Sequence, residues 1–200
     1  MQQHKRIIFN GNNYSEEWQE EAARRGLLNL KTTVDAVPRF ILPDNIDLFT
    51  RHGIFTATEI HSRYEILLDN YSRVLNIEAL TMLDMANKEI LPATLRYAGD
   101  LAQGLKAKKD IGLDISLDAG YGLLHRLTRL NGQLAEAVGQ LETAARQAPE
   151  QGDALAKAAY FRDHVLPAMA VLRTVADELE TVTDGAYWPF PGYGELLFSF

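Results

Sequence analysis

Thr56-Ala-Thr-Glu-Ile-His-Ser-Arg-Tyr-Glu-Ile-Leu-Leu-Asp-Asn-Tyr-Ser-Arg-Val-Leu75 opens the longest uninterrupted pattern in the sequence. Its first four residues form a capping box. The Thr56 hydroxyl can accept from the backbone N–H three residues on, and the Glu59 carboxylate can reach back to the N–H of Thr56. Two of the donors that every helix start leaves free are thereby satisfied. Hardly a breaker follows until Gly99. Ile60, Tyr64, Leu67, Leu68, Tyr71, Leu75, Leu83, Ile90, Leu91, Tyr97 and Leu101 step mainly by three and four, the spacing of one helix face. Pro92 lies inside the run. It removes a backbone donor and presses on the preceding turn, yet Leu95, Tyr97, Leu101 and Leu105 continue the pattern, so a kink is predicted rather than an end. Unbroken to Lys109, such a helix would be roughly 80 Å long.

Two more long helices follow. One is predicted from Ser116, as N-cap, to about Ala148 before Pro149. Leu117, Tyr121, Leu124, Leu127, Leu134, Val138, Leu141 and Ala145 form its stripe, close to a coiled-coil repeat. After a turn at Gln151-Gly152-Asp153, the other runs to about Val182, with Leu155, Ala158, Val165, Met169, Leu172, Ala176 and Leu179 on one face and a second internal proline, Pro167. Short connections between long helices make them antiparallel neighbours.

Upstream of Thr56 the elements are smaller. Ile7-Ile8-Phe9 reads as a short extended segment, and Asn10-Gly11-Asn12-Asn13 as a turn. Ser15 is expected to cap a helix to about Arg25. Glu16 and Glu17 lie in its first turn, Arg24 and Arg25 in its last, and Gly26 stops it. Pro38, Pro43 and Gly53 break the next stretch into short helical pieces, of which Asn45 to Arg51 is the clearest. The predicted fold is therefore mainly α: an up-down antiparallel bundle of long, proline-kinked helices reached from a small mixed N-terminal segment. Residues 1–55 are the short-helix linker, 56–185 the bundle and 186–200 a tail.

That tail differs in character. Tyr187-Trp188-Pro189-Phe190-Pro191-Gly192-Tyr193-Gly194 is aromatic and stiff, and Leu196 to Phe200 is apolar except for Ser199. An apolar end of this kind is expected to dock, either on its own domain or between subunits. Trp188, Phe190, Tyr193 and Phe198 are the candidate packing or interface residues.

Two hundred residues are enough to bury a core without staples, and the absence of cysteine excludes disulfides, thiolate metal sites and cysteine nucleophiles. No apolar run approaches the roughly 20 residues that span a bilayer, and no signal peptide is seen, so no membrane role and a cytoplasmic location are expected. On the same ground the sequons at Asn13 and Asn70 are taken as chance matches. The net charge of −7 argues against a nucleic-acid partner. Lys106, Lys108 and Lys109 form the one basic cluster, and it falls at a predicted helix C-terminus, where the dipole favours cations.

The residues yield no catalytic constellation. Gly120-Tyr-Gly122 and Gly192-Tyr-Gly194 lack the further glycines, lysine and strand of a phosphate loop. A di-metal bundle site needs Glu-x-x-His, and no glutamate has histidine three residues on. Of the five histidines, His4 and His52 carry no pattern. His61 follows Glu59 by two, which places them on different faces. His125 and His164 flank apolar stripes and read as partly buried packing residues. No strand-turn-helix elbow presents a nucleophile. Glu16, Glu17, Glu20 and Glu21 read as a solvated charged face. No catalytic, cofactor-binding or metal-binding residue is therefore assigned.

Several blocks nevertheless resemble one family. Arg6-Ile-Ile-Phe-Asn-Gly-Asn-Asn-Tyr-Ser-Glu-Glu-Trp18 and Arg25-Gly-Leu-Leu-Asn-Leu-Lys-Thr-Thr33 look like the region just after the catalytic core of type III glutamine synthetases. Asn76-Ile-Glu-Ala-Leu-Thr-Met82 and Glu89-Ile-Leu-Pro-Ala93 resemble the following long helix of that family. Ala159-Tyr-Phe-Arg-Asp163, Leu166-Pro-Ala-Met169, Ala176-Asp-Glu-Leu-Glu180 and Trp188-Pro-Phe-Pro191 resemble its closing helix and tail. The resemblance implies a parent enzyme that makes glutamine from glutamate, ammonia and ATP, with divalent metal (Mg or Mn) and a homo-oligomer of stacked rings. Its metal, nucleotide and glutamate ligands lie upstream, so Met1 is expected to be a cut within a longer chain, and residues 1–55 to follow the parent catalytic core. The implied role is a non-catalytic C-terminal domain for packing, assembly or regulation. Its partners are then the upstream catalytic domain and sister subunits. An independent helical interaction module is the alternative, and a small enzyme with an unrecognised site the third reading.

Overall fold

Every assigned element in the computed structural model is helical, and no strand occurs among the described residues, which are 5, 8–112, 116–148 and 152–198, the side chain of Tyr193 excepted. The readings placed on His4, Ile7, Pro149, Gln151, Ser199 and Phe200 lie outside them. The chain divides into two units, residues 1–68 and 69–200.

In the first unit, α1 (Glu16–Arg24), α2 (Thr33–Ala36), a 3₁₀ turn (Val37–Ile41), α3 (Pro43–Arg51) and the start of α4 (Ala57–Met85) follow local signals. Ile8 and Phe9 form no strand; the Ile8 N–H donates to the Lys5 carbonyl at 3.1 Å. Ser15 precedes α1 but does not cap it with its side chain. Its hydroxyl instead donates back to the Asn12 carbonyl at 2.7 Å, while Asn12 Oδ1 accepts from Tyr14 N at 3.0 Å. The asparagine turn thus takes the hydroxyl that was assigned to the helix. Gly26 ends α1 at φ +71°, a left-handed conformation that glycine adopts without a Cβ penalty. The capping box at Thr56 is reciprocal as read: Thr56 N donates to Glu59 Oε2 at 2.8 Å and Glu59 N to Thr56 Oγ1 at 3.2 Å. The Thr56 N–H bond, followed by one that the Thr56 hydroxyl donates to the same Glu59 oxygen at 2.9 Å, holds the Glu59 carboxyl below its ordinary pKa.

The second unit holds the core. α4 continues through a π-turn (Ala86–Ile90) into α5 (Leu91–Ile111); α6 spans Asp118–Gln147; α7 (Ala154–Tyr160) continues through a second π-turn (Phe161–Val165) into α8 (Leu166–Val182). α6 packs against both α5 and α8 and touches both π-turns, so it lies between the two proline-bearing helices. Leu127, Leu130, Leu134 and Leu141 of α6 are fully buried, and Phe161 and Leu172 meet them in one apolar cluster. α5 ends on Lys108 and Lys109 with Gly112 left-handed at φ +71°, the helix-end setting read for the lysines. Ser116 sits one residue before the observed cap position, yet its Oγ still accepts from Asp118 N at 3.3 Å. Asp153 caps α7 from the predicted turn, accepting from Ala156 N at 2.8 Å. A Cβ at Gly120 would meet a terminal methyl of Leu105, which would have to turn aside.

Each internal proline is absorbed in the same way. A five-residue π-turn precedes Leu91-Pro92 and Leu166-Pro167, the Leu91 N–H reaching back to Ala86 O and the Leu166 N–H to Phe161 O. The wider turn makes room for the ring where an α-turn would press it against the carbonyl four residues back. A kink is predicted at each proline, and what stands immediately before each is a π-turn.

Candidate functional site

The tail is positioned by the end of α8. The Thr183 hydroxyl donates to Leu179 O at 2.7 Å, and Asp184 O accepts from Tyr187 N at 2.8 Å and from Trp188 N at 3.0 Å, which turns the chain back. Asp184 Oδ1 also accepts from Ala186 N at 2.7 Å. Trp188 and Phe190, brought edge to face at 6.1 Å, are half-buried and pack against the core cluster. Pro189 and Pro191 stiffen the chain between and after them. Gly192 N donates to Glu195 Oε2 at 2.8 Å and starts the short α9 (Tyr193–Leu197).

Between the end of α4, α8 and this tail lies a pocket of about 440 Å³, with Met82, Met85, Ile90, Leu172, Trp188 and Phe190 in its wall. Arg173, paired with Asp177 at 2.6 Å, and Glu180 stand on the α8 side. Among the candidate residues, Trp188 and Phe190 therefore share one site. Phe198 does not join them and is 70% exposed. The Tyr193 side chain lies outside the described residues.

Sequence reasoning missed the polar part of the attachment. Tyr187 Oη donates to Asp100 Oδ2 at 2.6 Å, and its ring lies 5.1 Å from that of Tyr97. The bond to the Asp100 carboxylate, ahead of partial burial, raises the Tyr187 pKa above 10.0. Eighty-seven residues separate the two partners, and no local spacing could have pointed to Asp100.

His52, His61, His125 and His164 are all exposed. The partly buried packing role read for His125 and His164 is thus corrected: each flanks its apolar stripe on the solvent side. His164 stacks on Tyr160, ring centres 4.5 Å apart, whose hydroxyl donates to Gln147 Oε1 at 3.0 Å. Glu16, Glu17 and Glu20 are exposed as read, whereas Glu21 is half-buried and pairs with Arg24 and Arg25. Among the described residues no three His, Asp or Glu side chains come together to hold a cation. No helix is long and apolar enough to cross a membrane, again among the described residues.

The family described as the glutamine synthetase C-terminal domain matches residues 1–109. A glutamine synthetase of Butyrivibrio fibrisolvens is 43% identical over 196 residues, which is 98% of this chain and 28% of that protein. The type-3 glutamine synthetase of Dictyostelium discoideum is 30% identical over 203 residues, covering 98% of this chain and 27% of its own length. A glutamine synthetase of Bacteroides fragilis is 29% identical over 197 residues, with 27% of its length matched. The chain thus spans little more than a quarter of these relatives. With more than half its residues matched by the family and nearly all of them by a relative, the chain belongs to the glutamine synthetase C-terminal domain family.

Proposed function

We propose that this chain serves as the helical C-terminal domain of an ATP-dependent glutamine synthetase, joining glutamate and ammonia while ATP is converted to ADP and phosphate. The observation that carries the proposal is the 43% identity across 98% of the chain to a protein bearing that name. ATP and divalent metal are assigned to the part of the enzyme outside this segment, which makes up most of the relative's length. The domain's contribution is structural: packing on the catalytic portion and support of a homo-oligomer in the cytoplasm. Residues 1–55 act as the connection to that portion, 56–185 as the bundle and 186–200 as the docking tail. Trp188 and Phe190 hold the tail to its own domain, and Phe198 remains free for a neighbour.

The test is a synthetase assay on the full-length protein with glutamate, ammonia, ATP and magnesium, measuring glutamine and phosphate together. Glutamine formed in step with phosphate, by the full-length protein and not by the 200-residue chain, is expected. A full-length protein that forms none overturns the proposal.

A further inference from the structure

The two units differ in how they bury apolar side chains. In the first, Val34, Ile60 and Leu68 are the buried hydrophobic residues among those described. Phe40, Phe49 and Phe55 meet at ring distances of 5.3 and 5.7 Å, yet each stays half-buried. Leu28, Leu42, Leu48, Ile54, Ile66 and Leu67 stand 40–67% exposed. A free-standing domain of this size buries about 60% of its extended-chain surface and is marginal even then. Single exposed leucines are ordinary, but a unit of nearly seventy residues without a core of its own is not.

Its shape is nonetheless strongly specified. Thr32 Oγ1 accepts from Asp35 N at 3.1 Å to start α2, Thr56 and Glu59 cap α4, and Gly26 and Gly53 take left-handed turns after α1 and α3. Arg25 Nη1 donates to Ile8 O at 2.7 Å and ties the leading segment to the end of α1. Local bonds set the backbone, while few buried side chains offset the cost of ordering it. Such a surface has the form of one half of an interface.

From this we infer that the first unit is a docking face, completed by the catalytic portion of the longer enzyme, with Leu28, Leu42, Leu48, Ile54, Ile66 and Leu67 covered in that complex. The inference rests on the proposed function. The occupant follows from length: the match takes up 28% of the Butyrivibrio fibrisolvens relative, so nearly three quarters of that protein lies outside it and is available to cover the face. The second unit, by contrast, has a large apolar cluster of its own.

The test uses the full-length enzyme and thiol labelling, since this segment contains no cysteine. Leu48→Cys, Ile54→Cys and Ile66→Cys are compared with Val171→Cys, which lies exposed on α8 of the second unit. Maleimide should modify the three first-unit positions about tenfold more slowly than Val171→Cys. Equal rates would overturn the inference. The unsubstituted enzyme supplies a second measurement: a lysine-reactive cross-linker anchored at the exposed Lys31 should reach lysines of the catalytic portion. Cross-links from Lys31 confined to the C-terminal domain, as two copies of this face would give, also overturn it. Failure of the glutamine assay would instead refute the enzyme assignment and is read independently of labelling.

Discussion

Thr94 and Asn131 are buried, and together they form a polar contact between α5 and α6 two residues after Pro92. Thr94 Oγ1 lies 3.0 Å from Ile90 O, 3.1 Å from Leu91 O and 2.6 Å from the Asn131 amide oxygen, but a hydroxyl has one proton to give. With the amide turned over, Thr94 donates to the helix carbonyl and the Asn131 NH₂ donates to Thr94, which also satisfies an amide nitrogen otherwise without a partner. Thr94→Val should then cost about 1–3 kcal/mol in urea unfolding, because it strands the amide, while adding Asn131→Leu should recover most of that loss. Tyr187 gives a second prediction, in pH. Its folded pKa is raised above the ordinary value of 10.0, chiefly by the bond to Asp100, so its contribution is complete below that value and is lost as pH rises through the folded pKa. The urea midpoint of the native chain should therefore fall more steeply between neutral and strongly alkaline pH than that of Tyr187→Phe. Identical slopes would show that the phenol does not hold the tail.

The long helices were legible because their signals are repetitive and local. The capping box at Thr56, the spacing of Leu127, Leu134 and Leu141, and the turn ending at Asp153 each depend on residues a few positions apart, so periodicity, capping and turn rules reach them. What escaped was non-local or competitive. Ser15 lost its capping role to the Asn12 turn, and the Tyr187–Asp100 bond depends on packing that no spacing encodes. The π-turns are an intermediate case. Each proline announces a disturbance, but the extra residue that absorbs it leaves both buried neighbours, Ala86 and Ile90 or Phe161 and Val165, on the core side and so hides in the pattern. Deleting the exposed Asn87 should close the first π-turn and place Pro92 in an ordinary α-helical interior, at a cost of about 3 kcal/mol. Adding Pro92→Ala to that deletion should restore about the same amount. A deletion variant that gains nothing from the alanine would show that the π-turn is not there to accommodate the ring.

Across the whole chain, burial is distributed unevenly in a way that composition conceals. A hydrophobic content of 46% suggests a domain with ample interior, yet the large apolar cluster belongs entirely to the second unit. The sequence showed short helices before Thr56 but could not show that their apolar residues lack a partner, because exposure is a property of the assembled structure. Stability should follow the same division. In the second unit, Leu134 and Phe161 are almost completely buried, and truncating either to alanine should cost about 3–5 kcal/mol, as for large core side chains generally. In the first unit the backbone is ordered by caps and turns, each worth about 1 kcal/mol, with little burial to make its opening cooperative with the core. Amide exchange of the 200-residue chain should therefore divide: residues 27–55 exchange through local opening at low cost, whereas the middle of α6 and of α8 exchanges only on global unfolding. Adding Leu134→Ala should accelerate exchange in α6 and α8 and leave residues 27–55 nearly unchanged, since their opening does not pass through the core. If both regions lose protection together in that variant, the first unit is stabilised by the bundle itself, and the case for an outside partner falls with it.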